Sequence, residues 1–135
     1  MTQSVLLDSD TFSAITRNHP QAVANSRAYM QIHQIFSISI ITRFEVLRGL
    51  KVKGATRQMI VLENFCAGNQ VFDITDPIIV KAADIYADLH RRGLLIGDAD
   101  ILIAATALVH GYAVATNNER HFQRIPGLQL ENWLK

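Results

Sequence analysis

Val5-Leu6-Leu7-Asp8-Ser9-Asp10 is the stretch on which the fold of this chain turns. An apolar run with no polar alternation is the pattern of a strand buried on both faces, as in a parallel sheet covered by helices on each side. Asp8 and Asp10 then stand where such a strand leaves its sheet. Ligands of open α/β sheets bind just beyond the carboxyl ends of the strands. The stretch therefore predicts acids at a functional edge, and the question is whether other segments send acids to the same place.

Outward from this stretch, the spacing predicts a short helical turn over Thr11 to Thr16, broken at His19-Pro20 because a residue before proline avoids the helical region. A helix from Gln21 to about Gln34 and a second strand over the β-forming Ile35 to Ile41 follow. Thr42 with Glu45 has the form of a capping box, opening a helix that breaks near Gly54. Another helix spans Ala55 to about Ala67, Gly68-Asn69 makes a turn, and Gln70 to Ile74 reads as a third strand. Asp76 is read as the N-cap of a long helix with Pro77 at its first position, stopping at Gly93. Gly97-Asp98-Ala99-Asp100 opens a helix to about Gly111, in which the small pair Ala104-Ala105 allows close approach to a sheet. Tyr112 to Thr116 is the fourth strand and Leu128 to Leu130 a short fifth, with Asn117 to Phe122 a polar loop or helical turn between them. Alternating buried strands and helices predict an α/β fold with a mainly parallel sheet of four to five strands. A length of 135 residues without repeat or linker fits one domain, residues 1–135.

The composition excludes more than it selects. Hydrophobic residues at 49% and charged residues at 19% belong to an ordinary globular chain. A net charge of +1 gives no bulk attraction for nucleic acid, though it leaves a local basic stripe open. The lone Cys66 cannot form an intramolecular disulfide and suits a reducing cytoplasm. The five histidines lack metal-ligand spacing, although His121 falls near the predicted acid edge. No signal-peptide pattern is found, and the apolar stretch Ile101 to Val109 is too short to span a bilayer, so no membrane association is expected.

If the strands are parallel, Asp8 and Asp10 after strand one, Glu45 after strand two, and Asn117, Asn118 and Glu119 after strand four all reach the carboxyl edge. Asp98 and Asp100 start a helix that runs back across the sheet into strand four, so they begin at that edge too. An Asp at a helix start is commonly just a cap, which is the reading for Asp76; for Asp98 and for Glu45 capping and site roles stand side by side. Convergent carboxylates repel, and a hard divalent cation offsets that cost through oxygen ligands. Arg43, Arg48, Lys51, Lys53 and Arg57 form a basic segment beside Glu45, either a phosphate-binding strip or a solvated helix face.

Taken in order, four segments resemble the motifs of the PIN domain family, and in particular of VapC-type toxin ribonucleases. Leu6-Leu7-Asp8-Ser9-Asp10 resembles the opening motif, usually Leu-Asp-Thr-Asn. Ser39 to Gly49 resembles the second, Ile96 to Ala105 the third, and Ala115-Thr116-Asn117-Asn118 with His121-Phe122 and Pro126-Gly127-Leu128 the fourth. The resemblance implies a three-layer α/β/α sandwich and a metal-dependent endoribonuclease. It implies that Asp8, Glu45 and Asp100 hold Mg²⁺ or Mn²⁺, with Asp98 as auxiliary ligand and Asp10, Thr116 and Asn118 in support. Asn118 stands where many relatives carry a fourth acid, a departure that bears on a second metal ion. Arg43, Arg48 and Lys51 become candidate RNA contacts, and a cognate antitoxin and a homodimer are implied as partners. Two other readings compete: a non-catalytic PIN-like module that binds RNA or protein, and a haloacid-dehalogenase-like phosphatase suggested by Asp8-x-Asp10. The phosphatase motif wants Thr or Val where Phe12 stands.

Overall fold

The computed structural model describes residues 3–135. β1 (Val5–Leu7) is buried along its whole length. Successive side chains of a strand point to opposite faces, and here each face has its own core. Leu6 joins Ile78, Ile85 and Leu89 of α5 (Asp76–Arg91) and Ile101, Ala104 and Ala105 of α6 (Asp98–His110). Val5 and Leu7 join Tyr29 of α2 (Pro20–His33), with Trp133 and the partly buried Phe65 of α4 (Thr56–Gly68). Two apolar faces on a single strand are why the run carries no polar alternation, and they make the molecule a three-layer α/β/α sandwich.

β1 pairs in parallel with β4 (Ala113–Ala115), Leu6 opposite Val114, and β4 pairs in parallel with β5 (Leu130–Glu131). β2 (Ser37–Ser39) pairs in parallel with β3 (Gln70–Phe72). β2 also packs beside β1, but no ladder joins them, so the order β3-β2-β1-β4-β5 comes as two hydrogen-bonded parts. In place of a ladder, Thr42 donates its hydroxyl to the Leu7 carbonyl at 3.4 Å. From β1 the chain builds outward through β2 and β3, then returns to β4 on the other side. The topological switch therefore lies between β1 and β4, whose ends carry Asp8 and Thr116.

Several boundaries differ from those predicted. The second strand is only Ser37–Ser39, and α3 (Ile40–Lys53) takes over the β-forming Ile40-Ile41 pair, because tertiary context outweighs β-propensity. Ser39 caps α3 by accepting from the Ile41 N–H at 3.0 Å, so the Thr42–Glu45 capping box does not form. Thr42 is buried against β1 instead, and Glu45 sits in the second turn of α3. Thr75 rather than Asp76 is the N-cap of α5, which moves Pro77 to the second position. Asp8 itself is the N-cap of α1 (Ser9–Thr16). Gly54 and Gly111 end α3 and α6 at φ +65° and +72°, left-handed values where a side chain would be strained.

The start of β1 depends on one hydroxyl. The Val5 N–H donates to the buried Tyr29 hydroxyl at 3.1 Å, and the Tyr29 ring lies 5.3 Å from that of Trp133. Trp133 is held in turn by Asn25, whose amide donates to its carbonyl at 2.9 Å. No helix among the described residues is long and apolar enough to cross a membrane. Tyr29→Phe keeps the ring and leaves the Val5 N–H buried without a partner. Urea unfolding should show a stability loss of about 1–3 kcal/mol with an unchanged denaturant slope.

Candidate active site

The site grows from the first residue after β1. Asp8 leaves the sheet in extended conformation, its N–H still bonded to the Ala115 carbonyl at 3.0 Å, and turns directly into α1. Its Oδ1 accepts from the Ser9 N–H at 2.8 Å, and its Oδ2 accepts from the Thr116 hydroxyl at 2.8 Å. Thr116 Oγ1 accepts in turn from the Asn118 N–H at 2.9 Å. The ends of the two central strands are thus joined through side chains. Asp8 is 5% exposed. Burial first, then the negative charge of Asp10, pushes its carboxyl up to about 7, against the pull of the Thr116 and Ser9 hydrogen bonds. The negative charge of Asp100 adds a smaller upward push.

Asp10 lies in the first turn of α1. It accepts from the Asn117 N–H at 3.0 Å, pinning the loop after β4, and burial raises its carboxyl above the usual range. Glu45 arrives from α3, and its Oε1 accepts from the Ser9 hydroxyl at 2.7 Å. Ser9 therefore holds two acids at once, Asp8 through its backbone and Glu45 through its side chain. Asp100, one-fifth exposed on α6, has Oδ2 at 3.2 Å from His121 Nδ1. The same nitrogen lies 2.9 Å from the Asn118 amide. One ring nitrogen cannot accept from Asn118 and donate to Asp100 together. A proton on Nδ1 serves both contacts when Asn118 presents its oxygen.

The expected residues separate accordingly. Asp8, Asp10, Glu45, Asp100, Thr116 and Asn118 form one connected array through Ser9 and His121. Asp98 stands apart. It is exposed in the first turn of α6 and lines a shallow groove with Ile79 and Tyr86 of α5, and among the described residues no hydrogen bond joins it to the other acids. Asp98 is not a cap either, since Gly97 occupies that position. Arg43 is committed elsewhere: its guanidinium binds Glu63 of α4 at 2.7 Å and holds α3 to α4. Arg48 lies over the Phe44 ring at 5.0 Å and 3.9 Å from Glu45, while Lys51 is exposed. Ser9 had no role assigned from sequence, yet a hydroxyl between two acids was the available signal.

The donor chemistry suits a hard cation. Every acid here offers oxygen, and the Asp8 carboxyl is raised first by burial and then by the negative charge of Asp10, both of which a bound cation would offset. Among the described residues, no three His, Cys, Asp or Glu side chains are already gathered as a metal-binding group. Glu45 is drawn instead to Ser9.

Both the sequence and the fold have known relatives. The PIN domain family model matches residues 5–128. The chain is 33% identical over 129 residues to a tRNA(fMet)-specific endonuclease VapC of Salmonella typhimurium, covering 95% of this chain and 96% of that protein. Among solved structures it is similar to DNA-bound VapBC from Salmonella typhimurium, with a TM-score of 0.85 at 31% identity over 97% of this chain and 98% of that one. It is equally similar in fold to VapBC2 of Rickettsia felis bound to a promoter DNA fragment, with a TM-score of 0.85 at 27% identity over 96% and 98%.

The folded Asp8 carboxyl titrates near 7 and the unfolded one at its ordinary 3.8, so the folded chain binds more protons between those values. The stability contribution of Asp8 is greatest below the lower value, falls as pH rises to about 7, and is flat above it. In metal-free protein, Asp8→Asn removes that loss. Thermal or urea unfolding at pH 8 should show the variant more stable than wild type, by up to about 4 kcal/mol, with the gap narrowing toward pH 4.

Proposed function

The chain belongs to the PIN domain family, and from that premise we propose that it is a VapC-like endoribonuclease toxin, hydrolysing RNA phosphodiester bonds and held inactive by a cognate antitoxin protein. The observation that carries this reading is the hydrogen-bonded linkage of Asp8 to Glu45 through Ser9 and to Asp100 through Thr116, Asn118 and His121, acids from three distant segments at the carboxyl edge of β1 and β4. The same reading takes the protein to be a cytoplasmic homodimer. The relatives support the class of activity, being named as ribonucleases, and their solved complexes support an antitoxin partner.

We take Mg²⁺ or Mn²⁺ as cofactor, held by Asp8, Glu45 and Asp100. When bound, such an ion lowers the pKa of a coordinated water and stabilises charge on the phosphoryl oxygens. The chain's own residues supply order. Thr116 and the Ser9 N–H fix both oxygens of Asp8, so the carboxylate keeps one orientation. Ser9 Oγ holds Glu45 beside it. His121 orients Asp100 from the solvent side, with Asn118 steadying the ring. Asp10 locks the loop that carries Asn117 and Asn118.

Total RNA is the first substrate to test, with Mg²⁺, Mn²⁺ or excess EDTA. Wild type should give discrete products that vanish in EDTA. Asp8→Asn, Glu45→Gln and Asp100→Asn should each lose activity by about a hundredfold or more. Asp98→Asn should retain most of it. Mn²⁺ should raise the unfolding temperature of wild type and not of Asp8→Asn. RNA binding without cleavage by wild type would instead favour the non-catalytic module.

A further inference from the structure

Two cations that the family motifs do not include face the acids along one groove. A cleft of about 340 Å³ between α1 and α3 is lined by Ser9, Asp10 and Glu45 at one end and by Arg17 and Lys53 at the other. It continues into a hollow of about 210 Å³ that shares Arg17 and Lys53 and is walled by Phe12, Val46, Leu50 and Val61. The polarity follows from the fold. α1 and α3 both start at the carboxyl edge of the sheet, where their acids lie. Arg17 is the C-cap of α1, and Lys53 is the last residue of α3. Seven residues separate Asp10 from Arg17 and eight separate Glu45 from Lys53. At 1.5 Å per helical residue the cations lie roughly 10–12 Å from the acids.

The cations also differ in what already engages them. Arg43 is bound to Glu63, Arg92 to Asp88 and Lys135 to Glu119, while Arg124 binds the Leu94 and Leu95 carbonyls. Arg17 and Lys53 are exposed, and among the described residues neither side chain has an ion-pair or hydrogen-bond partner. Gly49 borders the cleft with open space where a side chain would stand, so a backbone can approach α3 there.

We infer that this cleft is the track of single-stranded RNA leaving the cleavage site, with Arg17 and Lys53 binding the phosphate next to, or one beyond, the scissile one. The inference rests on the ribonuclease reading above and deepens it. A polyanion with one phosphate at a cation-loaded acid cluster needs positive charge for the phosphates that follow, and the cleft offers that order along its length. Proteins that bind single strands use a positively charged groove that tracks the backbone; the aliphatic side chains of Val46, Leu50 and Val61 line the hollow beyond it. Arg43, tied to Glu63, is replaced in this role by Arg17, and the basic segment of α3 contributes through its last residue.

The test uses the full chain as wild type, Arg17→Gln, Lys53→Gln, the double variant, and Arg91→Gln as a control on the exposed side of α5. Kinetics are read on an oligonucleotide spanning a cleavage site mapped in total RNA, and on a version truncated just beyond the scissile bond. Binding of a fluorescein-labelled single-stranded RNA is read against salt in the Asp8→Asn background. The double variant should raise KM about tenfold with kcat within about twofold. Its salt slope should be smaller by about 0.7, the amount for one phosphate no longer neutralised. The KM difference should vanish on the truncated substrate, and Arg91→Gln should match wild type throughout. Unchanged KM and salt slope in the double variant would overturn the inference while leaving the ribonuclease reading intact. Loss of antitoxin inhibition with unchanged RNA binding would also overturn it, assigning the cleft to protein. Failure of wild type to cleave any RNA would sink the ribonuclease reading, and the salt slopes would still decide whether the cleft holds RNA.

Discussion

A carboxylate buried at the end of the central strand is the constraint around which the molecule is arranged. Asp8 is almost wholly buried, and an isolated buried charge is costly. The chain answers with one backbone donor, the first N–H of α1, and one hydroxyl from the end of β4. Both donors exist only because β1 and β4 are parallel neighbours in a fixed register and because α1 starts at once after β1. These bonds are too few to cancel the cost of burial beside Asp10, and the carboxyl stays raised. The residual charge is what makes the site receptive to a cation.

The rest of the acid array is held by small polar groups. Ser9 connects β1 to α3 through Glu45, Asp10 connects α1 to the loop after β4, and His121 connects α7 (Glu119–Phe122) to α6 through Asp100. The C-terminal end supports the same loop: Asn132 donates to Asn117 and Glu119, and Lys135 pairs with Glu119. Acids on separate elements repel one another, so each needs its own tether to remain at the edge. The apolar layers on either side of β1 supply rigidity, and the hydroxyls and amides supply direction.

Charge is distributed along α1 and α3 as well as clustered. α1 carries Asp10 in its first turn and Arg17 at its C-cap, and α3 carries Glu45 in its second turn and Lys51 and Lys53 in its last. The arrangement needs no excess of positive charge, which is why a net charge of +1 is compatible with work on a polyanion. What matters is the sign of the charge at each point along the groove.

Much of this was legible in the chain itself. The unalternated Val5-Leu6-Leu7 required a sheet covered on both sides, and the placing of Asp8, Glu45 and Asp100 after predicted strands or at a helix start put them at one edge. Those conclusions rest on periodicity and on the direction of parallel strands, which local sequence determines. Only the tertiary structure decided that Ser39 and not Thr42 starts α3, that Thr75 precedes Asp76 as a cap, and that Arg43 turns to Glu63. Only it turned Asp98 toward the groove beside α5, paired His121 with Asp100, and brought Ser9 and Arg17 to the site. Most of these depend on which partner a polar side chain meets across the fold, and such partners lie up to 108 residues away in sequence. Periodicity carries the face a residue occupies; it carries no information about the group waiting on the other side.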